Sequence, residues 1–204
     1  NDSIDSSGGL DSIDAGSGDD IVYASGSEIS LVGGDGNDTL SFVNASDDID
    51  MTTMNVSGFE HIIGGTGDDT LSGLNGEILD GGAGDDLLLA TESGSSSQAI
   101  GGDGNDTLDF SSNTSAVSEN LDNTDIENFV GSDYHDYITN EVGSSFANIS
   151  GGAGNDTIVG NDNGNTIYGD GGEDSITGGE SSDIIYGGDD GDILDGGYGS
   201  DIVS

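Results

Sequence analysis

Aspartate at a fixed spacing is the residue of this chain best suited to do chemistry. From Gly151 to Ser204 the sequence consists of six consecutive blocks of nine residues, and five of these blocks carry Asp at the sixth position. Further blocks of the same pattern begin at residues 15, 33, 64, 81 and 101. Carboxylates are hard oxygen ligands, which select Ca²⁺ or Mg²⁺ over softer metals. The spacing therefore indicates a regular series of metal sites.

The net charge of the chain points to the same chemistry. The chain has 42 acidic residues and no Lys or Arg, so its formal net charge is −42. No side chain of the protein can neutralise these carboxylates, whereas bound divalent cations can. The charge also excludes nucleic acid as a partner, because binding to its phosphates requires cationic side chains.

A disordered acidic linker is the alternative interpretation of this composition, since high net charge and few aromatic residues are typical of disorder. Disorder would not keep an aliphatic residue in phase every nine positions, however. We therefore expect an ordered chain when metal is bound and a disordered chain without it.

The glycines and aliphatic residues of each block predict a turn followed by a short strand. Glycines at the first, second and fourth positions permit positive φ, so six residues can turn sharply and expose carbonyl oxygens to a cation. Side chains alternate along a strand, so only the middle residue of the last three points inward. Two consecutive blocks, each a turn and a strand, make one coil.

The inward positions form a thin core for a chain of 204 residues. We therefore expect metal binding to supply part of the folding free energy. The predicted inward residues are Ile13, Val22, Leu31, Leu40, Leu71, Leu79, Leu88, Ala99, Leu108, Ile138, Ile149, Ile158, Ile167, Ile176, Ile185, Leu194 and Val203.

Blocks of the form Gly-Gly-x-Gly-x-Asp-x-U-x, where U is a bulky aliphatic residue, resemble the calcium-binding repeats of the RTX (repeats-in-toxin) family. The resemblance implies an all-β fold, a right-handed parallel β-roll or β-helix solenoid of stacked 18-residue coils. It implies calcium between a turn and the turn one coil later, held by the sixth-position Asp of each turn and by turn carbonyls. It also implies bacterial type I secretion of an unfolded chain, which folds outside the cell where calcium is millimolar.

The sixth positions, kept in phase along the chain, predict two unequal edges of the roll. On one edge the sixth positions are Asp20, Asp38, Asp69, Asp86, Asp106, Asp136, Asp156, Asp174 and Asp192. On the other edge, with two inserts set aside, they are Asp11, Ile29, Glu77, Ser97, Ala147, Asn165, Asp183 and Asp201. We therefore predict a nearly continuous row of calcium sites on the first edge and one further site between Asp183 and Asp201. About eight or more calcium ions would bind.

The two inserts, Phe42–Ile63 and Phe110–Val130, are similar in length. Both begin with Phe, and they end alike in FEHIIG and IENFVG. We interpret each insert as an enlarged coil, with strands such as Asp48–Met51 and Val117–Leu121. Their apolar residues either thicken the core, which is the favoured interpretation, or form a lateral binding surface.

A single roll over residues 1–204 is the predicted domain organisation. Nonapeptide coils would cover residues 1–41, 64–109 and 131–204, and the enlarged coils would cover residues 42–63 and 110–130. Because the sequence begins and ends in phase with the repeat, we expect it to be a fragment of a longer protein.

No catalytic activity is expected. His61 and His135 are the only histidines, and neither lies in a nucleophile motif of the kind a Ser-His-Asp triad needs. Asp85 and Asp86 could act on a glycosidic bond, but they occupy the fifth and sixth positions of a metal-binding turn. His135, beside Asp136, is either a turn residue or part of a transition-metal site.

The leading functional hypothesis is a calcium-binding structural module of a large secreted bacterial protein, such as an adhesin, a toxin or an exoenzyme. Its expected location is extracellular or at the bacterial cell surface, and its expected partners are calcium ions and the remainder of the parent polypeptide. Membrane insertion is not expected, because the chain lacks an apolar run long enough to cross a bilayer. Two alternatives remain: an extracellular module that binds a glycan or a surface, and an accessory module of a polysaccharide-modifying enzyme.

Overall fold

Short parallel strands make up the protein, as seen in a computed structural model that describes residues 1–6, 8–73, 76–91, 98–121, 125–140 and 146–204. The strands are β1 (Ser3–Asp5), β2 (Ser12–Ser17), β3 (Ile21–Tyr23), β4 (Ser30–Asp35), β5 (Thr39–Ser41), β6 (Asn55–Ser57), β7 (His61–Ile63), β8 (Thr70–Gly73), β9 (Ile78–Ala83), β10 (Leu87–Ala90) and β11 (Ala99–Asp103). They continue as β12 (Thr107–Asp109), β13 (Ser118–Asn120), β14 (Asn128–Val130), β15 (Tyr137–Thr139), β16 (Asn148–Ser150), β17 (Thr157–Val159), β18 (Thr166–Gly171), β19 (Ser175–Gly179), β20 (Ile184–Asp189), β21 (Ile193–Gly197) and β22 (Ile202–Val203).

Helix is almost absent from the described residues. One 3-10 helix, Met51–Thr53, is present there. Across these same ranges, no helix has the length and apolar character needed to span a bilayer. The predicted all-β class and the stacking of parallel strands into a β-solenoid are confirmed.

Two compact units make up the chain: unit 1 comprises residues 1–89 and 98–106, and unit 2 comprises the other described residues. In unit 1, one sheet has the strand order β1-β3-β5-β7-β9-β11, a second has the order β2-β4-β6, and β8 neighbours β10 in a third. Val22 pairs with Leu40, two blocks further along the chain, as the repeat predicts.

Unit 2 contains two rows of parallel strands, in the orders β12-β14-β16-β18-β20-β22 and β13-β15-β17-β19-β21. Ile158 pairs with Ile176, and Ile176 pairs with Leu194, each two blocks further along. The side chains that point inward from consecutive coils therefore stack directly on one another. That all 204 residues form a single roll stays a prediction.

The predicted inward row is the core of both units. All its members are buried except Ile13 and Leu194, which are half-buried, and Val203, which is 43% exposed. The strands of these three residues, β2, β21 and β22, are outermost in their sheets, so a neighbouring strand covers them on one side only.

The insert of unit 1 enlarges one coil, which runs from Leu40 to its partner Ile62. The predicted strand Asp48–Met51 is wrong, because Asp50 makes only an isolated bridge there and caps the 3-10 helix. Its Oδ1 accepts a hydrogen bond from the backbone N–H of Thr52 at 3.0 Å. The buried apolar residues of this insert are Phe42, Ile49, Met51, Phe59 and Ile62.

The insert of unit 2 contains β13, which lies within the predicted strand Val117–Leu121. The ring of Phe129 lies 5.4 Å from that of Phe110 and 6.3 Å from that of Phe146, measured between centroids. The buried apolar residues of this insert are Phe110, Val117, Leu121, Ile126 and Phe129. The favoured interpretation of the inserts, that their apolar residues thicken the core, is confirmed by this burial.

Phe129→Ala should destabilise unit 2 strongly. The ring is 1% exposed and fills space between two other rings, so its removal should cost about 3–5 kcal/mol. Tyr198→Ala is the control: Tyr198 is 77% exposed, and its removal should change stability by about 0.5 kcal/mol or less. Chemical unfolding at saturating calcium measures both. Equal midpoints for the two variants would contradict the packing described above.

Candidate metal centre

The sixth-position aspartates of the turns are buried, although the chain offers them no cationic side chain. Each of these aspartates directly precedes a strand. Those with at most 3% exposure are Asp20, Asp38, Asp69, Asp86, Asp106, Asp136, Asp156, Asp174 and Asp183. Asp192 and Asp201, on the outermost coils, are half-buried.

One oxygen of each carboxylate is held by the preceding coil. The backbone N–H of Asp136 donates to Oδ1 of Asp156 at 2.7 Å, and that of Asp156 donates to Oδ1 of Asp174 at 2.8 Å. The same bond joins Asp174 to Asp192 at 3.0 Å. These bonds fix the orientation of every carboxylate in the series, so that the second oxygen, Oδ2, always faces the same way.

The second oxygen of several of these carboxylates is buried without a hydrogen-bond partner in the described residues. These atoms are the Oδ2 oxygens of Asp20, Asp38, Asp86, Asp156, Asp174 and Asp183. Burying a charged oxygen without a partner is strongly unfavourable, and removing one such oxygen from water is normally compensated by a cation or a hydrogen-bond donor. A repeated orphan oxygen of this kind is therefore a candidate cation position.

The first glycine of each turn lies close both to this carboxylate oxygen and to a backbone carbonyl oxygen of the following coil. A Cβ on Gly169 would lie 2.2 Å from Oδ2 of Asp174 and 2.4 Å from the carbonyl oxygen of Gly187, one coil later. At Gly151 the corresponding distances are 2.5 Å to Oδ2 of Asp156 and 2.9 Å to the carbonyl oxygen of Gly169. Only glycine fits at these positions, and the oxygens of two successive turns are thereby brought together.

The donor set fits calcium. No group of three or more His, Cys, Asp or Glu side chains converges in the described part of the chain, so backbone carbonyls must supply most of the ligands. Carboxylate and carbonyl oxygens in a flexible arrangement are what Ca²⁺ accepts, whereas softer metals prefer nitrogen or sulfur. Which of the predicted aspartates bind an ion stays a prediction.

The predicted single edge of nine aspartates is wrong in unit 1. The backbone N–H of Asp38 donates to Oε2 of Glu60 at 2.7 Å, and β5 pairs with β7. Asp69 instead begins a separate series, in which the N–H of Ile49 donates to its Oδ1 at 2.8 Å. The enlarged coil carries the chain past one extra strand, so Asp69 enters a different sheet from Asp38.

The series in unit 2 begins in the same way. The N–H of Val117 donates to Oδ1 of Asp136 at 2.7 Å, so a buried aliphatic residue precedes the first aspartate here too. The predicted aspartates therefore lie in three separate series: Asp20 and Asp38; Asp69, Asp86 and Asp106; and Asp136, Asp156, Asp174 and Asp192.

The predicted second edge is also divided. Asp11 and Ile29 precede β2 and β4, whereas Glu77 precedes β9, in the sheet that contains β3 and β5. Ser97 lies outside the described residues. In unit 2 the prediction holds better, because the residues at this position, Ala147, Asn165, Asp183 and Asp201, all precede strands of one row. The N–H of Asp183 donates to Oδ1 of Asp201 at 3.0 Å, so this predicted pair is brought together.

Glu60 is a carboxylate in the row of Asp20 and Asp38 that sequence reasoning missed. It lies inside an insert, where the nine-residue phase is lost, yet it directly precedes β7, where a sixth-position Asp would stand. Glu127 holds the corresponding place before β14 in the other insert. The shared endings FEHIIG and IENFVG carry the signal, since each has Glu followed by a three-residue strand and Gly.

The fifth-position residues form a second series, which runs in the opposite direction and was not predicted. The N–H of Asn37 donates to Oδ1 of Asp19 at 3.1 Å, and the N–H of Glu173 donates to Oδ1 of Asn155 at 3.0 Å. The N–H of Asn155 in turn donates to Nδ1 of His135. His135 is therefore a turn residue of this series, which accounts for it without a transition-metal site.

Burial raises the pKa of the metal-free carboxyls. Together with a smaller contribution from neighbouring carboxylates, it raises the pKa of Asp86 to about 6 and that of Asp156 to about 7. Burial also raises the pKa of Asp174 and Asp183. A metal-free fold with these groups ionised is therefore disfavoured near neutral pH.

Acid should stabilise the metal-free fold. Between the ordinary pKa of 3.8 and the folded value of about 7, Asp156 binds a proton in the folded state but not in the unfolded state, so stability falls as pH rises through this window. Circular dichroism in chelator should show more β structure at about pH 5 than at about pH 7.5.

Asp156→Asn should remove part of this pH dependence, because Asn mimics the protonated acid. Asp162→Asn, which changes an exposed carboxylate, controls for the general loss of negative charge. Identical pH profiles for the two variants would contradict a specific role of the buried carboxyl.

Comparison with known proteins identifies the repeat. No curated protein and no solved structure matches the chain significantly. A family model described as the RTX calcium-binding nonapeptide repeat, in four copies, matches residues 1–26, 30–42, 56–88, 98–112, 143–176, 150–184 and 168–203. These ranges cover more than half of the chain, and they contain most of the buried carboxylates described above. The chain therefore belongs to the RTX calcium-binding nonapeptide repeat family.

Proposed function

We propose that this chain is a calcium-dependent structural module of a larger secreted bacterial protein, disordered before export and folded by calcium outside the cell. RTX repeats bind calcium, are typical of secreted bacterial proteins, and are typically structural rather than catalytic. The observation that carries the proposal is the series of buried Oδ2 atoms that have no hydrogen-bond partner among the described residues, in a chain of 42 acidic residues and no Lys or Arg.

Successive turns would hold the ions. In unit 2, Asp136, Asp156, Asp174 and Asp192 would supply side-chain oxygens, and the carbonyls of the glycine turns would supply the rest. Asp183 and Asp201 would do the same in the other row. A bound calcium ion supplies the positive charge that these oxygens lack. The aspartates themselves orient the turns, because each Oδ1 already holds the N–H of the preceding coil.

Folding and metal binding would be one reaction. Ordering the turns without calcium buries carboxylates whose charged form is unfavourable there, and it concentrates like charges that repel each other. Extracellular calcium modules bind with dissociation constants of about 10⁻⁴–10⁻³ M, so such a chain would fold outside a cell and not inside it. The parent protein could be an adhesin, a toxin or an exoenzyme.

Calcium titration followed by circular dichroism tests the coupling. The β signal should rise cooperatively over about 10⁻⁴–10⁻³ M calcium and should be lost on addition of chelator. Magnesium at the same concentration should be a poor substitute, because it demands octahedral geometry and loses its water reluctantly. A β signal in chelator at neutral pH as large as that in calcium would contradict the proposal.

Asp156→Asn should raise the calcium concentration at the folding midpoint by about tenfold, the equivalent of about 1.4 kcal/mol. It removes a charged ligand oxygen while keeping the shape of the side chain. Asp162→Asn removes the same charge from an exposed side chain and should leave the midpoint nearly unchanged. Equal shifts of the calcium midpoint in the two variants would contradict the proposal.

A second candidate function, glycan binding, is favoured by one observation in unit 2. The rings of Tyr168 and Tyr186 stack with centroids 5.1 Å apart and an interplanar angle of 12°, and each residue is 40% exposed. They line a groove of about 540 Å³ together with Asp170 and Asp189. Exposed aromatic surface beside polar groups marks interaction sites, and carboxylates can accept hydrogen bonds from sugar hydroxyls.

A glycan array probed with the calcium-loaded protein tests this second candidate. Tyr168→Ser should abolish any binding seen, because it removes half of the stacked pair. Tyr198→Ser, which changes a tyrosine that is 77% exposed and outside the groove, should have no effect. Binding that survives Tyr168→Ser would place the glycan elsewhere.

A further inference from the structure

Three asparagine side chains surround one backbone carbonyl oxygen in unit 2, where the aspartate row is interrupted. The Nδ2 atoms of Asn140, Asn161 and Asn165 lie 3.1, 3.5 and 3.0 Å from the carbonyl oxygen of Phe146. The three asparagines are 2–3% exposed. Asn165 occupies the sixth position of its turn, one coil before Asp183, whose Oδ1 accepts from its backbone N–H at 2.8 Å.

At Asn165 the hydrogen bond between the sixth-position side chain and the preceding coil runs in the opposite direction from that in the aspartate turns. At Asp174 the preceding coil turns an N–H toward the side chain, and a carboxylate oxygen accepts it. At Asn165 the preceding coil turns the carbonyl of Phe146 toward the side chain, and the N–H of Ala147 donates elsewhere, to the carbonyl oxygen of Glu127. A carboxylate at position 165 would face the carbonyl oxygen of Phe146 with an oxygen of its own. Because neither oxygen can donate a hydrogen bond, a cation would be required between them.

The oxygen of Asn165 takes the place of the metal-facing carboxylate oxygen. A Cβ on Gly160 would lie 2.6 Å from Oδ1 of Asn165, as a Cβ on Gly169 would lie close to Oδ2 of Asp174. Whereas the latter oxygen is an orphan, Oδ1 of Asn165 accepts from the N–H of Asn161 at 2.9 Å. The side chain of Asn165 is thus satisfied on both sides by neutral hydrogen bonds.

We propose that this amide cluster, Asn140, Asn161 and Asn165 around the carbonyl of Phe146, replaces a calcium ion. It joins the coils of β16 and β18 without metal, so that one turn of unit 2 needs no calcium in order to fold. The amide hydrogens supply the positive partial charge that calcium supplies elsewhere. The proposal rests on the calcium-dependent folding proposed above, and it assigns the amides the role of lowering the calcium required.

Asn165→Asp tests this assignment in the 204-residue chain. The new carboxylate faces the carbonyl of Phe146, so the turn becomes metal-dependent. The calcium midpoint of folding should rise by about fivefold, the effect of losing one buried hydrogen bond, and equilibrium dialysis with calcium should count about one additional bound ion. Asn163→Asp adds the same charge to an exposed side chain of the same turn and is the matched control.

A midpoint and an ion count equal to those of Asn163→Asp would overturn the proposal. If Asn165→Asp does not fold at any calcium concentration, Asn140→Ala decides the question. This variant removes one donor to the carbonyl without adding charge, so it should raise the midpoint by a smaller factor and leave the ion count unchanged. An unchanged midpoint for Asn140→Ala would then overturn the proposal.

Failure of the amide cluster can be distinguished from failure of calcium-dependent folding. If the unaltered chain folds fully in chelator, the calcium-dependent mechanism fails. The amide cluster is then tested by melting temperature in chelator, where Asn165→Asp should melt below Asn163→Asp. Equal melting temperatures would overturn the cluster as well.

Discussion

The buried carboxylate oxygen without a partner is the constraint on which the rest of the structure depends. The aspartates before the strands each give one oxygen to the backbone of the preceding coil, and in most of them the other oxygen is buried without a hydrogen-bond partner in the described residues. At Asp69 and Asp136 the second oxygen accepts a backbone N–H of its own turn. The arrangement concentrates negative charge along each row, and the chain has no Lys or Arg side chain to offset it. The positions of the glycines and the thinness of the core both become intelligible once a cation is included in the fold.

The inserts show what happens where this arrangement is interrupted. Each new series of aspartates starts after a buried aliphatic residue, Ile49 in unit 1 and Val117 in unit 2, which gives its N–H to the first aspartate. Around these residues the chain also buries phenylalanines. Under the two proposals above, hydrophobic burial would stabilise the enlarged coils in addition to metal binding, and hydrogen bonding by amides would replace metal binding at Asn165. The same stacking is stabilised in three chemically different ways.

The strands and the inward row could be predicted from the sequence, because a nine-residue period sets which residue faces the core. The positions of Leu40, Ile158 and Ile176 follow from it directly. The link from Asp38 to Asp69 could not be predicted correctly, because a period gives no information about where an insert re-enters the stack. Glu60 was missed for the same reason. The polarity at Asn165 depends on the orientation of one peptide group, which no residue pattern encodes.

The two opposed hydrogen-bond series give the coils of the aspartate rows two unlike faces. Toward the following coil, a turn presents the N–H of its sixth residue and the side-chain oxygen of its fifth; toward the preceding coil, it presents the carboxylate of its sixth residue and the N–H of its fifth. Two like faces would oppose donor to donor and oxygen to oxygen. Contacts between coils of separate molecules would therefore be head-to-tail, an association that extends into open filaments and does not close as a symmetric dimer.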